Sequence, residues 1–141
     1  MAPITSSGYA VARGWLVTSV VDTSVLIDYL RGHRGAATTL EQARAKGPLH
    51  ASEVTRLEVL AGMRRNEEAA TESLLSSIEW HPLDRQTAEQ GGALGRRWLP
   101  SHGGIDSADL AVAALATLMG TAPLTCNVRH FPMFPGLRAP Y

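Results

Sequence analysis

Four polar residues that are far apart in the sequence each lie beside a stretch that reads as buried structure. Asp22 follows "SVV", Glu58 lies within "EVTRLEVLAG", Asp109 opens "LAVAALA", and Asn127 ends "LTCN". Carboxylate and amide oxygens without Cys or His among them are the ligands that suit Mg²⁺ or Mn²⁺. Such a metal lowers the pKa of a bound water and stabilises the charge that develops during phosphodiester hydrolysis. If the four residues meet in space, the chemistry they predict is metal-dependent cleavage of a phosphodiester.

Each of these residues also has a purely structural interpretation. Asp22 could cap the helix that follows it, and Asp106 and Asp109 have the spacing of an N-terminal capping pair, the role favoured for Asp106. Glu58 could be a surface glutamate at the flank of an apolar stripe. Asn127 could close a turn after a strand. The hypothesis of a site therefore depends on a fold that brings the acids together.

Alternating strands and helices provide such a fold. The stretches that read as strands are "WLVTSVV" (15–21), "PLHAS", "IEWHPL" (78–83) and "APLTCN". The stretches that read as helices are "TSVLIDYLRG", "RGAATTLEQARAKG", "EVTRLEVLAGMRR", "NEEAATESLLSS", "RQTAEQGGALGRRWL" and "SADLAVAALATLMG". This alternation predicts an α/β fold with a parallel sheet covered on both faces. In such sheets sites form beyond the carboxyl ends of the strands, where Asp22 and Asn127 stand.

Composition limits the class of protein. The 141 residues carry no formal net charge, so overall charge gives no indication of nucleic acid. A single cysteine, Cys126, excludes an internal disulfide and predicts a reducing, cytoplasmic setting. No stretch reaches the roughly 18 apolar residues of a membrane span. We expect residues 1–14 to be a loose extension and residues 15–141 to form one domain.

Three stretches carry a family resemblance: "VVDTSVLIDYLRG", "ASEVTRLEVLAG" and "GIDSADLAVAALATLMGTAPLTCNVRHFP". In order, they show a strand followed by Asp-Thr-Ser, a Thr-x-x-Glu helix followed by Gly62, an Asp that opens an Ala-rich helix, and a Leu-Thr-x-Asn ending. Over residues ~17–141 the chain resembles the PIN-domain ribonucleases of the VapC type, the toxins of VapBC toxin–antitoxin pairs. The tail "NVRHFPMFPGL" is similar to those of actinobacterial members.

The resemblance implies a three-layer α/β/α PIN-like fold, an Mg²⁺ or Mn²⁺ site, endoribonuclease activity, a homodimer and inhibition by a cognate VapB antitoxin. By position, Asp22 and Asp109 would hold the metal, and Glu58 would bind it through water or orient the attacking water. Asn127 stands where the family often has Asp, so the site has one negative charge fewer and a strict two-metal arrangement is not expected. An unpaired loop of a tRNA or ribosomal RNA is the substrate class that we expect.

Three further residues are candidates for supporting roles. Thr23 and Thr125 are expected to donate hydrogen bonds to the carboxylates or to a metal-bound water, or else to serve as ordinary capping and strand residues. His130 stands where many family members have Asp before Phe. It is interpreted either as a surface loop residue or as a contact to an RNA phosphate.

Two other classes of function remain open. One is a metal-dependent hydrolase that acts on DNA or on a small phosphoester. The other is a non-catalytic PIN-like binding protein whose site has decayed, a reading favoured by Asn127 and His130 and opposed by the three retained acids. A receiver domain is rejected because "DTS" supplies one acid after the first strand and Lys46 is the only lysine.

Overall fold

Four parallel strands form one sheet in the computed structural model, which describes residues 18–141. The spatial order is β3-β2-β1-β4. The strands are β1 Ser19–Val21, β2 Leu49–Ser52, β3 Glu79–His81 and β4 Pro123–Leu124. The predicted strand over 15–21 is observed in its last three residues, whereas residues 15–17 and the predicted extension over 1–14 lie outside the described part.

Six α-helices flank the sheet within residues 18–141, and two short 3₁₀ helices join them. The α-helices are α1 Thr23–Leu30, α2 Arg34–Lys46, α3 Glu53–Ala61, α4 Glu68–Ser76, α5 Arg85–Trp98 and α6 Ser107–Leu118. The 3₁₀ helices span Arg65–Glu67 and Val128–His130. Side chains cap α3 and α5, because Ser52 accepts a hydrogen bond from Val54 N–H and Asp84 accepts one from Thr87 N–H.

Several predicted elements are shorter than expected. The strand predicted over 78–83 spans only Glu79–His81. The helix predicted over "EVTRLEVLAGMRR" ends at Ala61, where Gly62 follows as the cap. The strand predicted over "APLTCN" is only Pro123–Leu124. The backbone leaves the sheet at Thr125, whose hydroxyl accepts a hydrogen bond from Asn127 N–H and so turns the chain away.

Two apolar layers hold the helices on opposite faces of the sheet. Val21 belongs to the cluster beneath α1 to α4, whereas its neighbour Val20 belongs to the cluster beneath α6. This alternation follows from the two-residue period of a strand, and it confirms the three-layer α/β/α arrangement. Among residues 18–141, no helix combines the length and apolar character needed to cross a membrane.

The order of the strands reverses between β1 and β4. The chain adds β2 and β3 on one side of β1 and then returns to place β4 on the other side. In open α/β sheets a crevice opens at this point, beyond the carboxyl ends of the two strands. Asp22 directly follows β1 and Thr125 directly follows β4, so both lie at the crevice.

Candidate active site

Asp22 occupies the N-cap position of α1, yet its carboxylate makes no capping hydrogen bond to the helix. It is only 4% exposed. Its Oδ2 atom accepts hydrogen bonds from two hydroxyls, Ser24 Oγ at 3.0 Å and Thr125 Oγ1 at 2.7 Å. A cap would instead accept from a backbone N–H of the first turn. The structural interpretation of Asp22 as a cap is therefore wrong, and side chains hold this acid in place.

The backbone that follows β4 folds onto the start of α1. Cys126 N–H donates to Ser24 Oγ at 3.2 Å, and Asn127 N–H donates to Thr125 Oγ1 at 2.9 Å. Ser24 thus bonds both Asp22 and the chain after β4. Sequence reasoning missed Ser24, although a hydroxyl two residues after a buried acid is the signal that would have identified it.

Glu58 joins the same edge of the sheet through Thr23. Thr23 Oγ1 donates a 2.6 Å hydrogen bond to Glu58 Oε1, and both side chains are half-buried. The expectation that Thr23 and Thr125 donate to carboxylates is therefore met in the structure. Thr55, the first residue of the Thr-x-x-Glu motif, is fully buried and its hydroxyl has no partner among the described residues, so it contributes packing.

Asp109 closes a capping box with Asp106. Asp109 N–H donates to Asp106 Oδ1 at 2.8 Å, and Asp106 N–H donates to Asp109 Oδ2 at 3.0 Å. The predicted capping role of Asp106 is confirmed. His130 Nδ1 lies 3.0 Å from the same Oδ2 atom, a contact that neither interpretation of His130 included, and its contact to an RNA phosphate stays a prediction. In a neutral imidazole, Nδ1 must carry the proton to make this bond.

Comparison with known proteins identifies the family. The PIN domain profile matches residues 19–133. Ribonuclease VapC19 of Mycobacterium tuberculosis is 44% identical over 123 residues, which cover 86% of this chain and 98% of the relative. The chain belongs to the VapC family of PIN-domain proteins. Ribonuclease VapC10 of the same organism is 38% identical over 122 residues, covering 86% of this chain and 92% of the relative.

Solved structures agree with this VapC assignment. The fold matches a toxin–antitoxin complex from Klebsiella pneumoniae with a TM-score of 0.73 and 29% identity, over 87% of this chain and 98% of that one. VapBC2 from Rickettsia felis, bound to a promoter DNA fragment, matches with a TM-score of 0.72 at 19% identity over 87% of this chain and 97% of that one. The second likeness supports the fold alone.

The buried Asp109 carboxyl holds its proton more tightly than an exposed carboxyl does. Removal from water raises its pKa from 3.8 to about 6, and the nearby charge of Asp106 adds to the rise. The hydrogen bond from Asp106 N–H and the charge of His130 act in the opposite direction. Because desolvation is the largest cause, Asp109 would ionise more readily beside a cation.

Asn127 is a predicted site residue whose side chain makes no hydrogen bond to the acids in the described part of the chain. It lies exposed at the start of the second 3₁₀ helix. Its backbone N–H bonds Thr125, but its side-chain amide has no hydrogen bond within residues 18–141. Asn127 therefore borders the crevice of this VapC protein without contacting the three acids through hydrogen bonds.

The donor chemistry fits Mg²⁺ or Mn²⁺, although the acids do not form a closed cluster. In the described part of the chain, no three Asp, Glu, His or Cys side chains converge into a group that could hold a metal ion by themselves. Mg²⁺ usually keeps several waters and takes only one or two carboxylates, together with substrate phosphates. Asp22 and Asp109 are two carboxylates of this kind, so the chemistry of the donors is compatible with such an ion.

Proposed function

We propose that this chain is the toxin of a type II toxin–antitoxin system and an endoribonuclease that hydrolyses RNA phosphodiester bonds with Mg²⁺ or Mn²⁺. The main support for the proposal is the environment of the Asp22 carboxylate. A buried carboxylate at the switch point of the sheet accepts two hydroxyl hydrogen bonds and leaves the adjacent helix uncapped. The relatives named ribonuclease and the toxin–antitoxin complexes support the same assignment.

In this proposal Asp22 and Asp109 hold the metal, and Glu58 binds it through water or orients the attacking water. The bound metal would lower the pKa of a coordinated water and stabilise negative charge on the phosphate. The protein's own contribution is orientation. Hydroxyls fix Asp22 and Glu58, and His130 fixes Asp109. Asn127 supplies an amide at the border, which lowers the negative charge that an RNA phosphate meets.

Cleavage of total cellular RNA by the purified protein tests the proposal, with Mg²⁺, with Mn²⁺ and with EDTA. We expect discrete fragments that require metal and disappear in both Asp22→Asn and Asp109→Asn. The control is Glu89→Gln, which alters an exposed acid on α5 and should leave the fragments unchanged. Mapping the fragment ends would identify the RNA, for which a tRNA or ribosomal RNA loop is the expected class.

One observation favours a second candidate, a non-catalytic PIN-like binding protein. Asp22, Glu58 and Asp109 each have a protein hydrogen-bond partner, and no closed cluster of three ligands forms within residues 18–141. If no fragments appear with either metal, and calorimetry detects no metal binding, this candidate replaces the nuclease.

A VapB-type antitoxin is the proposed partner, and a groove between α3 and α4 suits it. The groove has a volume of about 560 Å³ and an apolar floor that includes Leu60, Leu75 and Trp80. Glu68 and Glu72, one turn apart on α4, give it an acidic rim, and Arg56, whose guanidinium lies over the Trp80 ring, adds one positive charge. An antitoxin segment with apolar side chains flanked by basic residues is complementary to this surface. We also propose a homodimer, which light scattering of the purified chain would test.

A further inference from the structure

Residues 125–141 form a strap that starts after β4, packs against α6 and reaches α1. Its start is fixed where Cys126 N–H donates to Ser24 Oγ at 3.2 Å. Its middle is fixed by Phe131, which is 1% exposed in the core beneath α6. Its end is fixed where the Tyr141 hydroxyl donates to Asp28 Oδ2 at 2.7 Å. The strap therefore has three separate anchors.

Both ends of the strap bind one face of α1. Ser24 and Asp28 are four residues apart in the helix, and residues with this spacing are neighbours on the helix surface. Ser24 holds the start of the strap and Asp28 holds its end. The two ends of the strap therefore contact α1 at positions one helical turn apart.

The seat of Tyr141, formed by His33 and Gly35, fits closely around its ring. The ring lies against His33 with 4.6 Å between the centroids. A side chain at Gly35 would place Cβ 2.7 Å from Tyr141 Cβ and Cγ, so only glycine leaves room for the ring. His33 is itself fixed, because its Nδ1 accepts hydrogen bonds from Gly35 N–H and Ala36 N–H. This local order goes beyond that of an ordinary surface tyrosine.

The hydroxyl of Tyr141 stays a donor at any physiological pH. Burial raises its pKa, and the neighbouring Cys126 thiol and Asp28 carboxylate raise it further. Cys126 lies between Thr125, which bonds Asp22, and Asn127. The end of the strap therefore abuts the same short segment that supports the site.

We propose that Tyr141 is a positioning residue, whose hydrogen bond to Asp28 holds the strap where it contacts the acids of the site. The inference rests on the proposed nuclease function. β4 has only two residues, so the sheet orders little of the chain that follows it. The strap carries both Thr125 and His130, and its anchors must supply the precision that the short strand does not.

The test compares Tyr141→Phe, which keeps the ring and removes the donor, with Asp28→Ala, which removes the acceptor, and with the double variant. The matched control is Tyr29→Phe, which alters a tyrosine of similar exposure beside Asp28 that lines a different groove, between α1, α2 and α4. The first readout is amide hydrogen exchange at Cys126 and Asn127 by NMR in metal-free protein. The second is the initial rate of cleavage of total cellular RNA at saturating Mg²⁺.

We expect exchange at these amides to be about 10-fold faster in either single variant, as for loss of one hydrogen bond of typical net strength. Cleavage should slow by a similar factor, and the double variant should match the single ones because all three remove the same bond. Gly35→Ala should reproduce the effect by displacing the ring, although alanine ordinarily favours a helix over glycine. Tyr29→Phe should change neither readout.

The two possible failures are separable. Unchanged exchange in Tyr141→Phe and Asp28→Ala, or additive effects in the double variant, would overturn the inference even if the wild-type protein cleaves RNA. Faster exchange with an unchanged cleavage rate would also overturn it, because the bond would then order the strap without positioning the site. A wild-type protein that cleaves no RNA with either metal would instead overturn the proposed function, whatever the exchange shows.

Discussion

Thr125 and Asp22 are 103 positions apart in the sequence, and a 2.7 Å hydrogen bond joins their side chains inside the protein. The bond links the chain after β4 to the chain after β1. These are the strands between which the sheet reverses its order. The position of the acid is thus fixed by the topology of the whole domain, and not by the helix that Asp22 precedes.

Replacing Thr125 with valine should test how much this hydrogen bond contributes to the free energy of unfolding. The isosteric change leaves the buried carboxylate with one hydroxyl donor fewer and Asn127 N–H without its acceptor. Together these losses should lower the free energy of unfolding by about 1–3 kcal/mol. Urea denaturation would measure it. Thr71→Val is the matched control, because Thr71 is equally buried but its hydroxyl has no partner within residues 18–141. That variant should be neutral or slightly stabilised, and equal losses in the two variants would contradict the prediction.

The order of the elements and the edge of the sheet that carries the acids could be predicted from the sequence. Apolar runs with turn signals between them define the strands and helices, and parallel strands place Asp22 and the end of β4 at one edge. The capping pair at Asp106 was also visible, because its three-residue spacing to Asp109 is local. These predictions rest on short-range pattern.

The partners of the acids could not be predicted in the same way. The bonds of Ser24 to Cys126 N–H and of His130 to Asp109 depend on the path of an irregular segment with no periodic pattern. The seat of Tyr141 depends on the absence of a side chain at Gly35, over 100 residues away in the sequence. Contacts of this kind follow from tertiary packing, which a single sequence does not encode in any local signal.

Neutralising Asp109 should stabilise the protein at the same time as it abolishes cleavage. Its pKa is raised to about 6 from 3.8, so between these values the folded chain binds more protons than the unfolded chain. The stabilising contribution of Asp109 is therefore present at low pH and lost as the pH rises through about 6. Asp109→Asn removes the buried charge and keeps an oxygen that can accept from Asp106 N–H.

We expect Asp109→Asn to raise the free energy of unfolding by about 1–2 kcal/mol near pH 7.5 and to change it little near pH 4. Thermal or urea unfolding of metal-free protein at the two pH values measures the difference. Glu89→Gln, an exposed acid on α5, should show no such dependence. A loss of stability near pH 7.5 would mean that the pairing with His130 outweighs the cost of burial.

A pair of histidines outside the site should give the fold an opposite pH dependence. His50 Nδ1 lies 2.7 Å from His81 Nε2 across β2 and β3. Burial lowers the pKa of both imidazoles; the charge of His81 lowers that of His50 further, and Glu79 opposes the shift in both. Below the ordinary value of 6.5 the unfolded chain then binds more protons than the folded chain. Stability is therefore lost as the pH falls through that value.

Replacing His50 with glutamine should flatten this dependence. Asp109 acts in the opposite direction over the same range, so the prediction concerns the difference between proteins: from about pH 7.5 to pH 5.5 the melting temperature of His50→Gln should fall less, or rise more, than that of the wild-type protein. Scanning calorimetry at these pH values provides the measurement. His102→Gln, on the loop after α5, serves as the control and should retain the wild-type slope. Parallel curves for His50→Gln and the wild-type protein would exclude the histidine pair as the cause.

The groove between α3 and α4 should distinguish antitoxin binding from RNA cleavage. Leu60 lines the groove and is 44% exposed, so Leu60→Glu places a charge on the apolar floor beside the acidic rim. Affinity for a VapB-type antitoxin should fall at least about 10-fold, because a buried unpaired charge is costly at an interface. Leu57→Glu makes the same change on the same helix at a more exposed residue that does not line the groove. Titration calorimetry should show a loss only for Leu60→Glu, with metal-dependent cleavage intact in both variants, and equal affinities would place the antitoxin on another surface.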